Sequence, residues 1–452
     1  MSITQQLDFV KDLEAVMKEK INVAYVGIGR RGSIMLEWCF AQMGDVEIAM
    51  LCDISEERLE KGKRILKDKG RAEPLCFRSY DEMLAHKDME KIDAVIIMTG
   101  WDSRPEMAKK AMLAGKYTAI EVGCSQTLEE CFELIEVYEK TGSPLMMLEN
   151  CCYGRREMMV LNMVKKGLFG EVVHCTGAYA HYLNRCELFA EMFKDGKPVP
   201  ENKVTHYRLQ HYIDGNRENY PTHELGPISK VLNINRGNRF LRLSSFASKS
   251  AGLREYAKEN FGEDHEYAKI DYKQGDVVNT ILTCANGETV SINLDTTAPR
   301  AYYSRNFSVR GTKAMSTEEH GVIFIEGEMK EGIGNNENEV AKTYDHPLHA
   351  EYEFVGTRGG HGGMDWLVCR AFVEAVKRGE NTPIDAYDSV TWLAVGALSE
   401  QSIKMNGAPV EFPDFTNGKW QNREPVTPGK YCLDEVCEDR ATKIFDDIEY
   451  EW

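Results

Sequence analysis

The chain has 452 residues, which is too long for one small domain and long enough for two or three domains with sizeable cores. A formal charge of −17 argues against nucleic acid and anionic membrane as partners, because both are met by basic patches. No apolar run approaches a membrane span, and thirteen cysteines without regular C-x-x-C pairs, including adjacent Cys151 and Cys152, read as reduced core thiols of a cytoplasmic protein.

The opening MSITQQLDFVKDLEAVMKEK is polar and amphipathic and lacks the basic start, apolar core and cleavage site of a secretory signal. An extra helix over residues 1–20 is expected. Residues 21–26 then read as a short buried strand running into Gly27-Ile28-Gly29-Arg30-Arg31-Gly32, a full G-x-G-x-x-G. Gly27 permits the tight turn, Gly29 lets the backbone approach a pyrophosphate, and Gly32 lets the next helix close onto the strand. The N-terminus of that helix, predicted over 33–43, faces the phosphates. A second apolar strand over 46–52 ends at Asp53, about 20 residues past the last glycine, where an acid accepts bonds from the ribose hydroxyls. Asp53 therefore favours NAD over NADP as cofactor. Arg30 and Arg31 have two readings, phosphate contact or a solvated helix start, and the first leaves a 2′-phosphate preference open.

The alternation continues with strands over 93–99, 117–122 and 145–148 and helices over 104–114 and 128–141. It implies an N-terminal α/β domain, residues 1–150, with a doubly wound parallel sheet of Rossmann type. Ligands collect beyond the carboxyl ends of such strands. Thr99, Trp101, Arg104, Glu121, Val122 and Asn150 are thus candidate cofactor contacts, with plain strand-ending turns as the alternative.

Past residue 150 the pattern changes. A helix over 155–166 leads into strands near 172–182, a polar irregular stretch to about 219, and strands over 240–248, 277–284, 289–296 and 306–311 that alternate like a sheet with one wet face. This reads as an α/β substrate domain, residues 151–412, on an antiparallel or mixed sheet. Residues 327–342 are expected to be a glycine-rich acidic surface loop, helices follow over 364–377 and 386–404, and the tail 413–452 is expected to be irregular. An open sheet of this kind often pairs face to face, so a dimer or higher oligomer is expected.

The most distinctive stretch is Tyr220-Pro221-Thr222-His223-Glu224-Leu225-Gly226-Pro227. If Pro221 begins a helical turn, the three-residue spacing sets Tyr220 and His223 on one side. The second histidine of H-E-x-x-H is missing, since Pro227 stands there, so no zinc motif is indicated. Arg208 and His211 are candidates for sugar hydroxyls, with a solvated loop as the alternative. His361 lies between glycine pairs that permit close backbone approach to a ligand.

These residues resemble a known group. The first third looks like the Gfo/Idh/MocA oxidoreductases. The whole is similar to their NAD-dependent glycosidase branch, glycoside hydrolase family 109, typified by α-N-acetylgalactosaminidase. The resemblance is carried by Glu121-Val122, Glu149-Asn150, VLNMV at 160–164 with GLFGE at 167–171, Gly177-Ala178-Tyr179, the Tyr220–Pro227 motif, NINRGNRF at 233–240 and GGHGGMDW at 359–366. Glu121-Val122-Gly123 stands where ordinary dehydrogenases of the superfamily usually carry Glu-Lys-Pro, so their catalytic lysine is absent. Their Asp-x-x-x-His pair is replaced by Glu224 and Ile228. Many members of the branch are exported, which leaves imported small glycosides as the substrate of a chain without a signal.

The resemblance implies hydride transfer from sugar C3 to NAD, loss of the acidified C2 proton, elimination of the C1 substituent, water addition and return of the hydride. It assigns His223 to the C3 hydroxyl, Tyr179 to the C2 proton and Tyr220 to assistance at C3. A tyrosine near the leaving group is either Tyr302 or Tyr303. The competing expectations are a conventional NAD-dependent sugar dehydrogenase and a non-catalytic NAD sensor. Spacing alone would make His223 a structural hydrogen-bonder and Tyr179 a core strand residue.

Overall fold

Six short apolar runs in the first third become the strands of one sheet: β1 (Ile21–Val26), β2 (Val46–Cys52), β3 (Leu75–Phe77), β4 (Ala94–Ile97), β5 (Tyr117–Ile120) and β6 (Leu145–Met147). All pair in parallel, in the order β3-β2-β1-β4-β5-β6. Their runs are continuously apolar because helices cover both faces. Strand order reverses between β1 and β4, the position at whose carboxyl ends such sheets hold their ligands. The computed structural model describes residues 18–124, 127–425 and 429–436, apart from the side chains of 353–355. Most of the expected N-terminal helix and the end of the tail lie outside those residues.

The first helix, α1 (Arg30–Trp38), begins three residues before the expected start, because Gly29 is its N-cap and Arg30-Arg31-Gly32 form its first turn. Next come α2 (Glu56–Asp68), α3 (Arg104–Leu113) and α4 (Leu128–Thr141). The last has the predicted bounds. Thr127 and Glu130 make a reciprocal capping box at its start, and Gly142 closes it in the left-handed conformation.

After α5 (Arg155–Lys165) the chain enters β7 (Val172–Ala180), the middle of a second sheet. The stretch expected to be irregular up to 219 contains α6 (Arg208–Asp214), and α7 (Thr222–Val231) follows it. Beyond them lie β8 (Phe240–Ala247), α8 (Gly252–Phe261), β9 (Val277–Cys284), β10 (Thr289–Asp295), β11 (Ser308–Gly311), β12 (Ala314–Thr317) and β13 (Val322–Ile325). The expected loop at 327–342 is corrected in its second half, where α9 (Glu337–Tyr344) buries Val340 and Ala341. Asn336 ties that helix to the sheet by bonding both the amide and the carbonyl of Ile323. The chain continues through α10 (Pro347–Val355), α11 (Met364–Arg378), α12 (Ala386–Lys404) and β14 (Val410–Glu411).

The second sheet runs β13-β12-β11-β7-β10-β9-β8-β14, with β7 and β10 parallel and the other pairs antiparallel. It is mixed, and one face is buried: Val278, Thr280 and Leu282 of β9 and Val290, Ile292 and Leu294 of β10 point inward. On that face Ser402 of α12 accepts the Ser245 amide of β8, and Glu224 of α7 accepts the Tyr179 amide of β7. Ten of the twelve cysteines among the described residues are buried. No helix among those residues is long and apolar enough to cross a membrane.

Candidate active site

The turn from β1 into α1 forms a cradle in which Gly27 and Gly32 are sterically required. Gly27 has a φ of +91°, and a Cβ there would lie 2.9 Å from the Met98 carbonyl carbon. A Cβ on Gly32 would lie 2.0 Å from the Gly27 oxygen, while one on Gly29 would face open space. Asp53 is fixed beside the turn, accepting the Ile28 amide at 2.7 Å and the Ser55 amide at 3.0 Å. An open Gly29, a helix N-terminus and a placed carboxylate fit a dinucleotide: amides for its pyrophosphate and an acid for its ribose.

The arginines near the cradle have other partners. Arg31 makes a two-pronged bond to buried Asp365, 2.8 Å on each arm, and reaches Glu121 at 3.3 Å; Arg30 donates to the Cys186 carbonyl. Arg31 is thus committed to carboxylates, while Arg30 is exposed and uses one arm on the Cys186 carbonyl. Buried Arg104 donates to the carbonyls of Thr99, Glu121 and Val122, so it braces the rim instead of projecting from it. Trp101 is packed into that rim. Gly123 makes room for it, since a Cβ there would come within 2.3 Å of its Nε1.

At the carboxyl end of β6, Glu149 is fully buried and faces His223, with Nδ1 2.7 and 2.9 Å from its two carboxyl oxygens. Burial pushes the Glu149 carboxyl up, but the proximity of His223 and the bond from the Cys151 amide together hold it below its ordinary value. His223 sits in the first turn of α7, which Pro221 caps, and its Nε2 points away from the carboxylate. Gly226 lets Glu149 lie against the helix: a Cβ there would be 2.8 Å from Glu149 Cγ. Glu149, Cys151 and His223 also form, among the described residues, the one group of such side chains with ligand atoms within 4.8 Å of one another, but His223 and Glu149 are spent on each other.

Around His223 is an aromatic cluster. Tyr179 stacks on Tyr220 at 4.2 Å between ring centres, and His223 meets their edges at 5.5 and 4.8 Å. Tyr220 lies 6.0 Å from Trp101, which joins the cluster to the cofactor rim, and His211 lies 5.0 Å from Trp101. Arg208 is buried in α6, not solvated; Glu187 holds it at 3.0 Å and its guanidinium lies over both Tyr220 and Trp101. Tyr303 touches Tyr179 and His181, at 6.3 and 5.1 Å between rings, whereas Tyr302 is 58% exposed. Tyr303 is itself 43% exposed, so the ring contacts and not burial set it apart from Tyr302.

His361, Gly362 and Gly363 follow one another with φ of 53°, 65° and 97°. Glycine meets that conformation freely and histidine at a cost, here held by a 2.9 Å contact between His361 Nδ1 and Asp365. Asp365 also accepts Asn150 at 2.7 Å, in addition to Arg31. Burial pushes the Asp365 carboxyl up, but Arg31 and His361 bring it well below the usual carboxylate range.

A family profile described as "Glycosyl hydrolase 109, C-terminal domain" matches residues 153–422, and one described as "Oxidoreductase family, NAD-binding Rossmann fold" matches residues 21–149. The chain belongs to glycosyl hydrolase family 109. It is 37% identical to an α-N-acetylgalactosaminidase of Tannerella forsythia, over 90% of this chain and 88% of that protein. It is 38% identical to a glycosyl hydrolase family 109 protein of Stenotrophomonas maltophilia, over 91% and 93%. Solved structures share the fold at low identity. Levoglucosan dehydrogenase in complex with NADH and L-sorbose has a TM-score of 0.63 at 15% identity, over 88% of this chain and 100% of that one. An inositol dehydrogenase homologue complexed with NAD+ from Azotobacter vinelandii has 0.60 at 16%, over 88% and 98%.

In this family 109 enzyme, sequence reasoning left three residues of the candidate site unassigned, Glu149, His181 and Asp365. Glu149 was named as a strand end and within the family motif Glu149-Asn150 but given no role, because its partner is 74 residues away. His181 went unassigned although its signal was present: residues i and i+2 share a face of an extended strand, and His181 Nδ1 lies 3.2 Å from the Tyr179 hydroxyl.

Proposed function

We propose that this glycosidase hydrolyses small glycosides, with α-N-acetylgalactosaminides as the first class, by transient oxidation at C3, elimination across C1 and C2, water addition and re-reduction. The observation that supports this most is His223 held on a buried carboxylate and packed against two stacked tyrosines beside the cofactor rim. When bound, NAD supplies reversible hydride exchange at C3, as the family resemblance implies. The substrate class comes from the name of the Tannerella relative.

His223 takes the C3 hydroxyl proton on Nε2 and returns it, while Glu149 stabilises the imidazolium through Nδ1. Burial pushes the Tyr179 hydroxyl well up and pulls the His181 imidazole down, so both are neutral at rest. As Tyr179 takes the C2 proton, its own proton passes along the 3.2 Å contact to His181. His361, backed by Asp365 in the way His223 is backed by Glu149, gives a proton to the departing C1 oxygen. Arg208 fixes Tyr220 at C3, and Tyr303 lines the leaving-group side. Exposed Phe246 and Ile281 share the outer face of the second sheet, which is the surface we propose for pairing in a dimer or higher form.

The test is a panel of p-nitrophenyl α- and β-glycosides, including the N-acetylgalactosaminide, with nitrophenol and NADH absorbance followed together. Nitrophenol without net NADH, lost in His223→Ala, is expected. NADH from free sugars without nitrophenol would make the protein a dehydrogenase.

A further inference from the structure

Two buried acids lie behind the stacked tyrosines and have no part in the chemistry above. Glu218 is fully buried; its Oε1 accepts the Tyr220 amide at 3.2 Å and its own amide donates to Ser399 of α12 at 2.9 Å. Glu224, equally enclosed on α7, accepts the Tyr179 amide on Oε1 at 2.7 Å. The remaining oxygens, Glu218 Oε2 and Glu224 Oε2, are buried without a hydrogen-bond partner. No ion pair to either carboxyl is found among the described residues.

The groups that face the two acids are uncharged or engaged elsewhere. Tyr212 approaches Glu218 from α6 and Cys124 from beyond β5, and burial keeps both protonated. Arg217, next in the chain, is ion-paired with Glu400 at 2.5 Å. On the β7 side Gly177 admits Glu224, since a Cβ there would lie 3.1 Å from Glu224 Cβ. A lone carboxylate in such a place is strongly disfavoured, so the acids stay neutral. Burial pushes Glu218 up to about 8, and burial together with neighbouring Glu218 pushes Glu224 well above the usual range.

We propose that Glu218 and Glu224 are a neutral acid pair that positions Tyr220 and Tyr179 through their backbone amides, and whose ionisation in alkaline solution disables the site. The positioning part rests on the roles given to those tyrosines above. Each acid holds one ring of the 4.2 Å stack at its backbone. An ionised Glu218 must be solvated, and when the side chain turns out to reach water it takes the acceptor from the Tyr220 amide. The sign for stability follows. The folded chain holds this proton more tightly than unfolded glutamate, so Glu218 costs nothing at low pH. The cost grows as pH rises from the ordinary value of 4.5 towards about 8, and stays at its maximum above that.

The test uses Glu218→Gln, which keeps an oxygen for the Tyr220 amide, and Glu224→Gln, with thermal unfolding and turnover followed across pH. Wild-type turnover should fall about tenfold one unit above the midpoint, and Glu218→Gln should lose less than about threefold over the same interval. Its melting temperature should gain on wild type between about pH 5 and pH 8. Profiles that superimpose on wild type in both measurements would overturn the proposal. Infrared titration of the wild-type protein decides it even if neither variant folds. A buried protonated-carboxyl band that disappears near pH 8 is expected, and its absence at neutral pH would overturn the pair. If that band is present but no glycoside is turned over, the acid pair stands and the functional reading fails.

Discussion

The imidazole of His223 is held by both oxygens of one unexposed carboxylate, and its proposed role as a base rests on this contact. A carboxylate accepts only, so it fixes the proton on Nδ1 and leaves Nε2 to exchange protons with substrate. An amide in its place presents a donor as readily as an acceptor and frees the tautomer. Glu149→Gln should therefore lower kcat by roughly 10²–10⁴-fold, the scale seen when a catalytic histidine loses its orienting acid. KM should change less than about threefold, because Glu149 lies behind the imidazole. Steady-state kinetics with unchanged kcat would remove Glu149 from the mechanism. The sequence made His223 and Tyr179 visible through family motifs, but not what holds them. Glu149, Asp365 and His181 act through side-chain directions that spacing along the chain does not encode.

α7 brings the site together because two of its residues are shaped for their neighbours. Pro227 has no amide to return to the His223 carbonyl, and Gly226 leaves the space that Glu149 and Cys152 fill. Alanine at 226 would gain up to about 1 kcal/mol of helix propensity. Against this, its Cβ would stand 2.8 Å from Glu149 Cγ and 2.9 Å from Cys152 Sγ, and overpacking of this kind costs about 1–3 kcal/mol. Gly226→Ala should thus be less stable in chemical denaturation and at least about tenfold slower, through displaced Glu149. A variant more stable than wild type would show that the space is slack. Long elements with full periodicity, such as α4 and β9, were legible to the residue. β3, β12 and β13 were not, because three or four residues carry too little alternation to stand out. α9 was hidden because its apolar face is only Val340 and Ala341, in an acidic stretch.

Two networks join the nucleotide sheet to the C-terminal helices. Asp45 receives Arg370 and Lys377 of α11, and Asp365 of the same helix receives Arg31 and Asn150 as well as His361. The glycine turn, the end of β6 and the strained His361 loop are thereby fixed on one carboxylate. The parallel sheet could be read from continuously apolar runs separated by helices, and the mixed sheet from apolar alternation along its strands. Their mutual placement could not, since it rests on ion pairs spanning more than three hundred residues. That placement ties the His361 loop to the glycine turn and the end of β6, and the redox-cycling route proposed above is the claim to test. The most direct measurement is turnover of p-nitrophenyl α-N-acetylgalactosaminide in D2O, with the released sugar examined by NMR at C2 and NADH absorbance followed. Solvent deuterium at C2 in each product molecule, without accumulating NADH, is predicted. Nitrophenol release with the original hydrogen retained at C2 would contradict the account.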